Sequence, residues 1–75
     1  MNYADGQEVK LGDRVKMWED DCGIVVCSLD TDEYSAAYPK ENMEFLESGV
    51  MIDFPMYGLI HFAQSDEDIY LVARK

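Results

Sequence analysis

The chain has 75 residues, 16 of them acidic and 6 basic, with one histidine and a net charge of −10. So few scattered cations cannot form a stripe that tracks phosphates, and the excess negative charge repels anionic lipid, so neither nucleic acid nor membrane is expected as a partner. Hydrophobic residues make up 48% of the chain, enough for one small packed core and too many for a disordered segment.

The elements follow one another at the short spacing of a small β-domain. Asp5-Gly6 marks a turn, and Val9 and Leu11 alternate with charged neighbours. Gly12-Asp13 marks a second turn. Arg14-Val15-Lys16-Met17-Trp18 then alternates, which predicts a half-buried strand with Val15 and Met17 inward. Glu19-Asp20-Asp21-Cys22-Gly23 reads as an acidic loop. Ile24 to Leu29 is a continuous apolar run rich in β-branched residues, expected to be central and covered on both faces.

Thr31 to Tyr38 reads as irregular. Pro39 suits the first position of a helix of about two turns, in which Met43 and Leu46 share a face and Gly49 is the stop. Val50, Ile52 and Phe54 alternate in a further strand. Pro55-Met56-Tyr57-Gly58 turns the chain, and Leu59 to Phe62 pairs back as a hairpin. Ser65-Asp66-Glu67-Asp68 is an acidic turn, and Ile69 to Ala73 is the last strand. The expectation is a mainly β, small α+β fold of one domain over residues 1–75: a five-stranded antiparallel, SH3-like, partly open barrel with one short helix. The expected core is Val15, Met17, Ile24, Val26, Leu46, Val50, Ile52, Ile60, Phe62 and Leu71.

Asp5-Gly6, Val9, Gly12-Asp13-Arg14-Val15 and Gly23-Ile24-Val25-Val26 resemble the first hairpin of SH3-like barrels. Glu33-Tyr34-Ser35 with Tyr38-Pro39, Leu46, Ser48-Gly49-Val50 and Gly58-Leu59-Ile60-His61-Phe62 resemble a group of small uncharacterised single-domain bacterial proteins. These belong to mobile elements, including integron gene cassettes, with relatives near toxin–immunity loci. The resemblance implies an interaction or immunity role and carries over no catalytic residues.

The chemistry-bearing residues point away from catalysis. Cys22 and Cys27 are separated by an odd number of positions, which on a strand sends their side chains to opposite faces. They read as reduced thiols, and with no signal-peptide pattern in Met1 to Asp5 the expectation is a cytoplasmic protein. Cys27 lies in an apolar run and Cys22 among carboxylates; both settings disfavour thiolate. His61 has no nearby nucleophile or co-ligands in its strand. Asp30-Thr31-Asp32-Glu33 lacks the glycine and the ligand spacing of a calcium loop. No catalytic, metal or cofactor site is therefore expected.

Binding remains. The aromatic side chains of Trp18, Tyr34, Tyr38 and Tyr57, near carboxylates, suit a cationic group. The expected partner is a basic protein, with Trp18, Tyr34 and Tyr38 converging as anchors and Glu19, Asp20, Asp21, Asp30, Asp32 and Glu33 steering its approach. The alternative is a small cationic ligand held in an aromatic groove. An unpaired strand edge also offers a route to a homodimer.

Overall fold

The computed structural model describes residues 1–74. Six antiparallel strands form one open sheet: β1 (Arg14–Met17), β2 (Asp20–Ser28), β3 (Glu33–Tyr34), β4 (Val50–Phe54), β5 (Gly58–Phe62) and β6 (Ile69–Ala73). The order is β5-β4-β2-β1-β6, and β3 pairs with the end of β2. One edge of β2 is shared between β1 at Asp20–Ile24 and β3 at Cys27–Ser28; the other edge carries β4. The mainly β class and the single short helix agree with the sequence. The strand count is six because the 33–34 segment, read as irregular, pairs with Cys27 and Ser28.

β1 follows its alternation, with Val15 and Met17 buried and Arg14 and Lys16 exposed. β2 departs from expectation at both ends. It begins at Asp20, so most of the predicted acidic loop is strand, and only Trp18 and Glu19 make the turn. Nor is the Ile24–Leu29 run covered on both faces. Ile24 is exposed and Val26 half-buried, whereas Val25 and Cys27 are fully buried.

A bulge explains the change of face. Val25 pairs with Ile52, but the next pair is Cys27 with Met51, which leaves Val26 as the extra residue. Cross-strand partners share a face. Val25 and Ile52 therefore point into the core, Cys27 and Met51 to the opposite side, and Ser28 and Val50 back into the core. A continuous apolar run carries no period from which that phase could be read.

The core consists of Tyr3, Val9, Val15, Met17, Val25, Val50, Ile52, Phe54 and Ile69. Burying a side chain such as Ile52 or Phe54 stabilises the fold by roughly 1.5–3 kcal/mol. Ile60, Phe62 and Leu71 are only partly buried against this cluster, and Leu46 is half-buried. Gly23 leaves room for Phe54: a Cβ there would lie 2.5 Å from the ring's Cε1.

Tyr3 and Val9 enter the core because the first nine residues fold over it. Tyr3 N–H donates to Gln7 O at 2.8 Å, and Val9 N–H donates to Met1 O at 2.9 Å. Fully buried Asp13 anchors this arm. It accepts from the Tyr3 hydroxyl at 2.7 Å and from Lys10 N–H at 3.0 Å, and Arg74 Nε approaches its other oxygen at 3.2 Å.

The expected two-turn helix is shorter and starts one residue later. Pro39 is the N-cap, α1 spans Lys40–Met43, and a single 3₁₀ turn follows at Glu44–Leu46. Neither segment buries a residue, and so short a helix has no packing to extend it. Gly49 has φ 93° where the chain re-enters the sheet; a Cβ there would lie 2.1 Å from Phe62 O.

Candidate functional site: an aromatic and acidic end of the sheet

β1 and β2 are joined by a two-residue loop, because Met17 pairs with Asp20. Trp18 in that loop has φ 56°, and Glu19 is not among the residues with positive φ. Such a loop normally places glycine at its first position. A bulky residue there costs on the order of 1–2 kcal/mol. The ring it carries is 60% exposed.

The ring is not isolated. It meets Tyr57 edge to face, with centroids 5.6 Å apart and planes at 78°. Tyr57 in turn leans on core residue Phe54 at 6.1 Å. Its own ring is 39% exposed and the neighbouring Met56 is 63% exposed. The result is an apolar patch standing in water and anchored to the core from below.

Asp20 holds the two contributing hairpins together. One carboxylate oxygen accepts Cys22 N–H at 2.9 Å, and the other accepts Met56 N–H at 2.8 Å. The side chain is buried. Asp20 was expected to steer a partner from the surface; instead its charge is spent inside, positioning the turn that carries Met56 and Tyr57.

Exposed carboxylates surround the patch. Glu19 and Asp21 follow Trp18 closely in sequence and are exposed. Met17 pairs with Ile69, so the acidic 66–68 turn enters the sheet at the same end, and Glu67 and Asp68 are exposed. Arg14 Nε donates to the backbone oxygen of Asp21 at 2.9 Å and leaves its carboxylate free of that contact.

The other predicted residues lie elsewhere. Asp20 beside Trp18 and Cys27 beside Tyr34 stand at opposite ends of β2, roughly 20 Å apart at the usual rise of a strand. Tyr38 bridges to Ser35, near Tyr34. Trp18, Tyr34 and Tyr38 therefore do not converge, because nine-residue β2 separates Trp18 at one end from Tyr34 and Tyr38 at the other. Sequence reasoning counted Tyr57 among the candidate aromatics but not among the converging anchors, and it did not place Met56 in the site; the signal was two large side chains in a predicted turn, where small polar residues are usual.

The carboxylates at the Tyr34 end are largely engaged within the fold. Asp30 accepts from the Met1 ammonium and from Gly49 N–H at 3.0 Å; these two contacts hold its carboxyl below the ordinary value. Asp32 pairs with Lys40 at 3.1 Å. Glu33 accepts from Thr31 Oγ1 at 2.6 Å. Beside them an open groove of about 530 Å³ is lined by Leu11, Gly12, Ile24, Val25, Val26, Tyr34, Ser35 and Ala36. Tyr34 is the only aromatic ring in that lining, which includes no acidic residue.

Neither thiol is poised to react. Cys22 is exposed, and the neighbouring Asp21 carboxylate pushes its pKa up; burial pushes Cys27 up. His61 Nε2 lies 2.8 Å from the Ser48 carbonyl oxygen, which accepts from it. Among the described residues, no three of His, Cys, Asp or Glu are grouped to hold a metal ion, and no helix is long and apolar enough to cross a membrane.

Compared with models of protein families, with curated proteins and with solved structures, the chain matches none. The class of protein is therefore read from the geometry: a small single-sheet domain that presents an aromatic pair among exposed carboxylates.

Proposed function

We propose that this protein is a non-catalytic binding module that docks a basic protein partner through its Trp18–Tyr57 end. The supporting observation is the exposed edge-to-face pair of Trp18 and Tyr57 with Met56 beside it, rimmed by Glu19, Asp21 and the 66–68 turn. Aromatic side chains of this size serve as anchors when a partner desolvates them. Their faces attract guanidinium and ammonium groups, and the surrounding carboxylates attract the same groups at longer range. Strain held at Trp18 is consistent with this role, since unfavourable backbone persists where it serves a function.

In this reading Trp18, Glu19 and Asp21 keep the roles the sequence suggested, and Met56 and Tyr57 join them. We take this open sheet, with β5 and β6 as its unjoined ends, for a partly open SH3-like barrel. The resemblance to immunity-locus relatives makes a basic, nuclease-type toxin one such partner, in the cytoplasm. The small-ligand alternative would use the groove beside Tyr34, whose single ring and open shape support a cationic ligand less well than the paired rings support a protein.

The test is capture on the immobilised protein at low salt, run in parallel with Trp18→Gly and Tyr57→Ala. A basic protein retained by the parent, released by salt and not retained by either variant is the expected result. Equal retention by all three proteins would reject the site.

A further inference from the structure

The sheet ends at β6, which pairs with β1 on one side and with no described strand on the other. Its sequence, Ile69-Tyr70-Leu71-Val72-Ala73, has no charge and no proline. Exposed edge strands usually carry a charge, a proline or a bulge, because an unprotected edge invites another strand to pair with it; in β6 a register shift leaves Val72 as an extra residue, and Ile69–Leu71 is the regular stretch of edge. Tyr70 and Val72 are 58% and 47% exposed.

A groove runs beside this strand. Tyr3, Ala4 and Asp5 form one wall and Ile69, Tyr70 and Leu71 the other, around a volume of about 350 Å³. Charge restricts what can enter. The Asp5 carboxylate accepts from Gln7 N–H at 3.0 Å and from its side-chain amide at 2.8 Å, which keeps it ionised in the groove wall. Asp66, Glu67 and Asp68 lead directly into β6. Of the nearby cations, Lys16 lies across the ladder opposite Tyr70, while Arg74 spends its guanidinium on Asp13 and on the Glu8 carbonyl.

We propose that the free edge of β6 receives an extended segment of a basic partner as an added strand. Main-chain hydrogen bonds to β6 supply the affinity. Alternate apolar side chains enter the groove beside Ile69 and Leu71 or lie against Tyr70, and cationic residues meet Asp5 and the 66–68 turn. A second copy of this chain is a poor occupant, because each copy brings a net charge of −10. The site goes beyond the Trp18–Tyr57 patch and does not depend on it.

The experiment uses the full chain, isotopically labelled, with a synthetic peptide that alternates valine and arginine. Two further versions carry N-methyl groups on alternate amides, one version for each phase. Binding is expected to move the amide signals of residues 69–73 and of residues 3–5. One N-methylated phase should bind at least about tenfold more weakly, the equivalent of one or two lost hydrogen bonds, and the other should bind nearly as well. A peptide alternating valine and glutamate should not bind. Trp18→Gly should bind the arginine peptide as the parent does, which separates this site from the first. Equal affinity of both N-methylated phases, or signals of residues 69–73 that stay in place, would overturn the proposal. So would β6 signals that shift with protein concentration alone, since a second copy would then be the occupant.

Discussion

The carboxylate of Asp20 accepts Met56 N–H at 2.8 Å across 36 positions of sequence, and so ties the β1–β2 hairpin to the β4–β5 hairpin. That contact sets Trp18 and Tyr57 at ring distance. It also turns a residue that reads as surface charge into the brace of the site. Asp20→Ala leaves two buried-side N–H groups without their acceptor and is expected to cost about 1–3 kcal/mol. Denaturant unfolding gives the value. Loss of partner binding beyond the loss of folded protein would show that the brace also sets the geometry of the patch.

Trp18→Gly separates stability from binding. Glycine suits φ 56°, so the variant gains roughly 1–2 kcal/mol of relieved strain and loses about 0.5–1.5 kcal/mol of ring contact. Its melting temperature should stay the same or rise by a few degrees while binding of the basic partner is abolished. A fall in stability of more than about 1 kcal/mol would mean that the ring is structural.

Glu19→Lys and Asp21→Lys test the steering role. Both positions are exposed, so stability should be unchanged or slightly higher as self-repulsion falls. The association rate with a basic partner should drop several-fold and lose part of its salt dependence, with little change in the dissociation rate. Stopped-flow measurements at two salt concentrations read both effects.

The Tyr3 hydroxyl predicts an alkaline limit. Burial first, then its hydrogen bond to the Asp13 carboxylate, raises its pKa above the ordinary 10.0. Ionisation is therefore easier in the unfolded chain than in the native one. Stability from this group is complete below the ordinary value and declines as pH rises above it. Denaturation midpoints should fall above that pH in the parent and fall less steeply in Tyr3→Phe, which begins from a lower plateau because Asp13 has lost a donor.

Gly49→Ala should be among the most damaging single changes. The added Cβ would lie 2.1 Å from Phe62 O, at φ 93°. Backbone must move at the β4–β5 pairing, and the cost is expected to reach about 3 kcal/mol or more. Gly58→Ala, at φ 84° with open space around it, carries only the backbone strain and should cost less by thermal melting.

The charge balance, the mainly β class and the run of each strand from β4 onward were legible in the sequence. So was the inward face of β1, because alternation fixes which residues point to the core. Local pattern reaches no further than its own period. The phase of β2 was hidden because Ile24-Val25-Val26-Cys27 is apolar throughout, and only pairing with β4 placed the bulge. Tyr3 and Val9 became core because the first residues fold over a surface that forms from distant strands. The same holds for the candidate site. Trp18, Tyr57 and the exposed carboxylates could be named from the sequence, but that Tyr57 rather than Tyr34 or Tyr38 meets Trp18 is decided by tertiary contact alone. Likewise, only the fold shows that Asp20, Asp30 and Glu33 answer backbone and terminal donors rather than solvent. A carboxylate's role depends on which hydrogen-bond donors the fold brings within about 3 Å of it, and adjacency in sequence does not determine that.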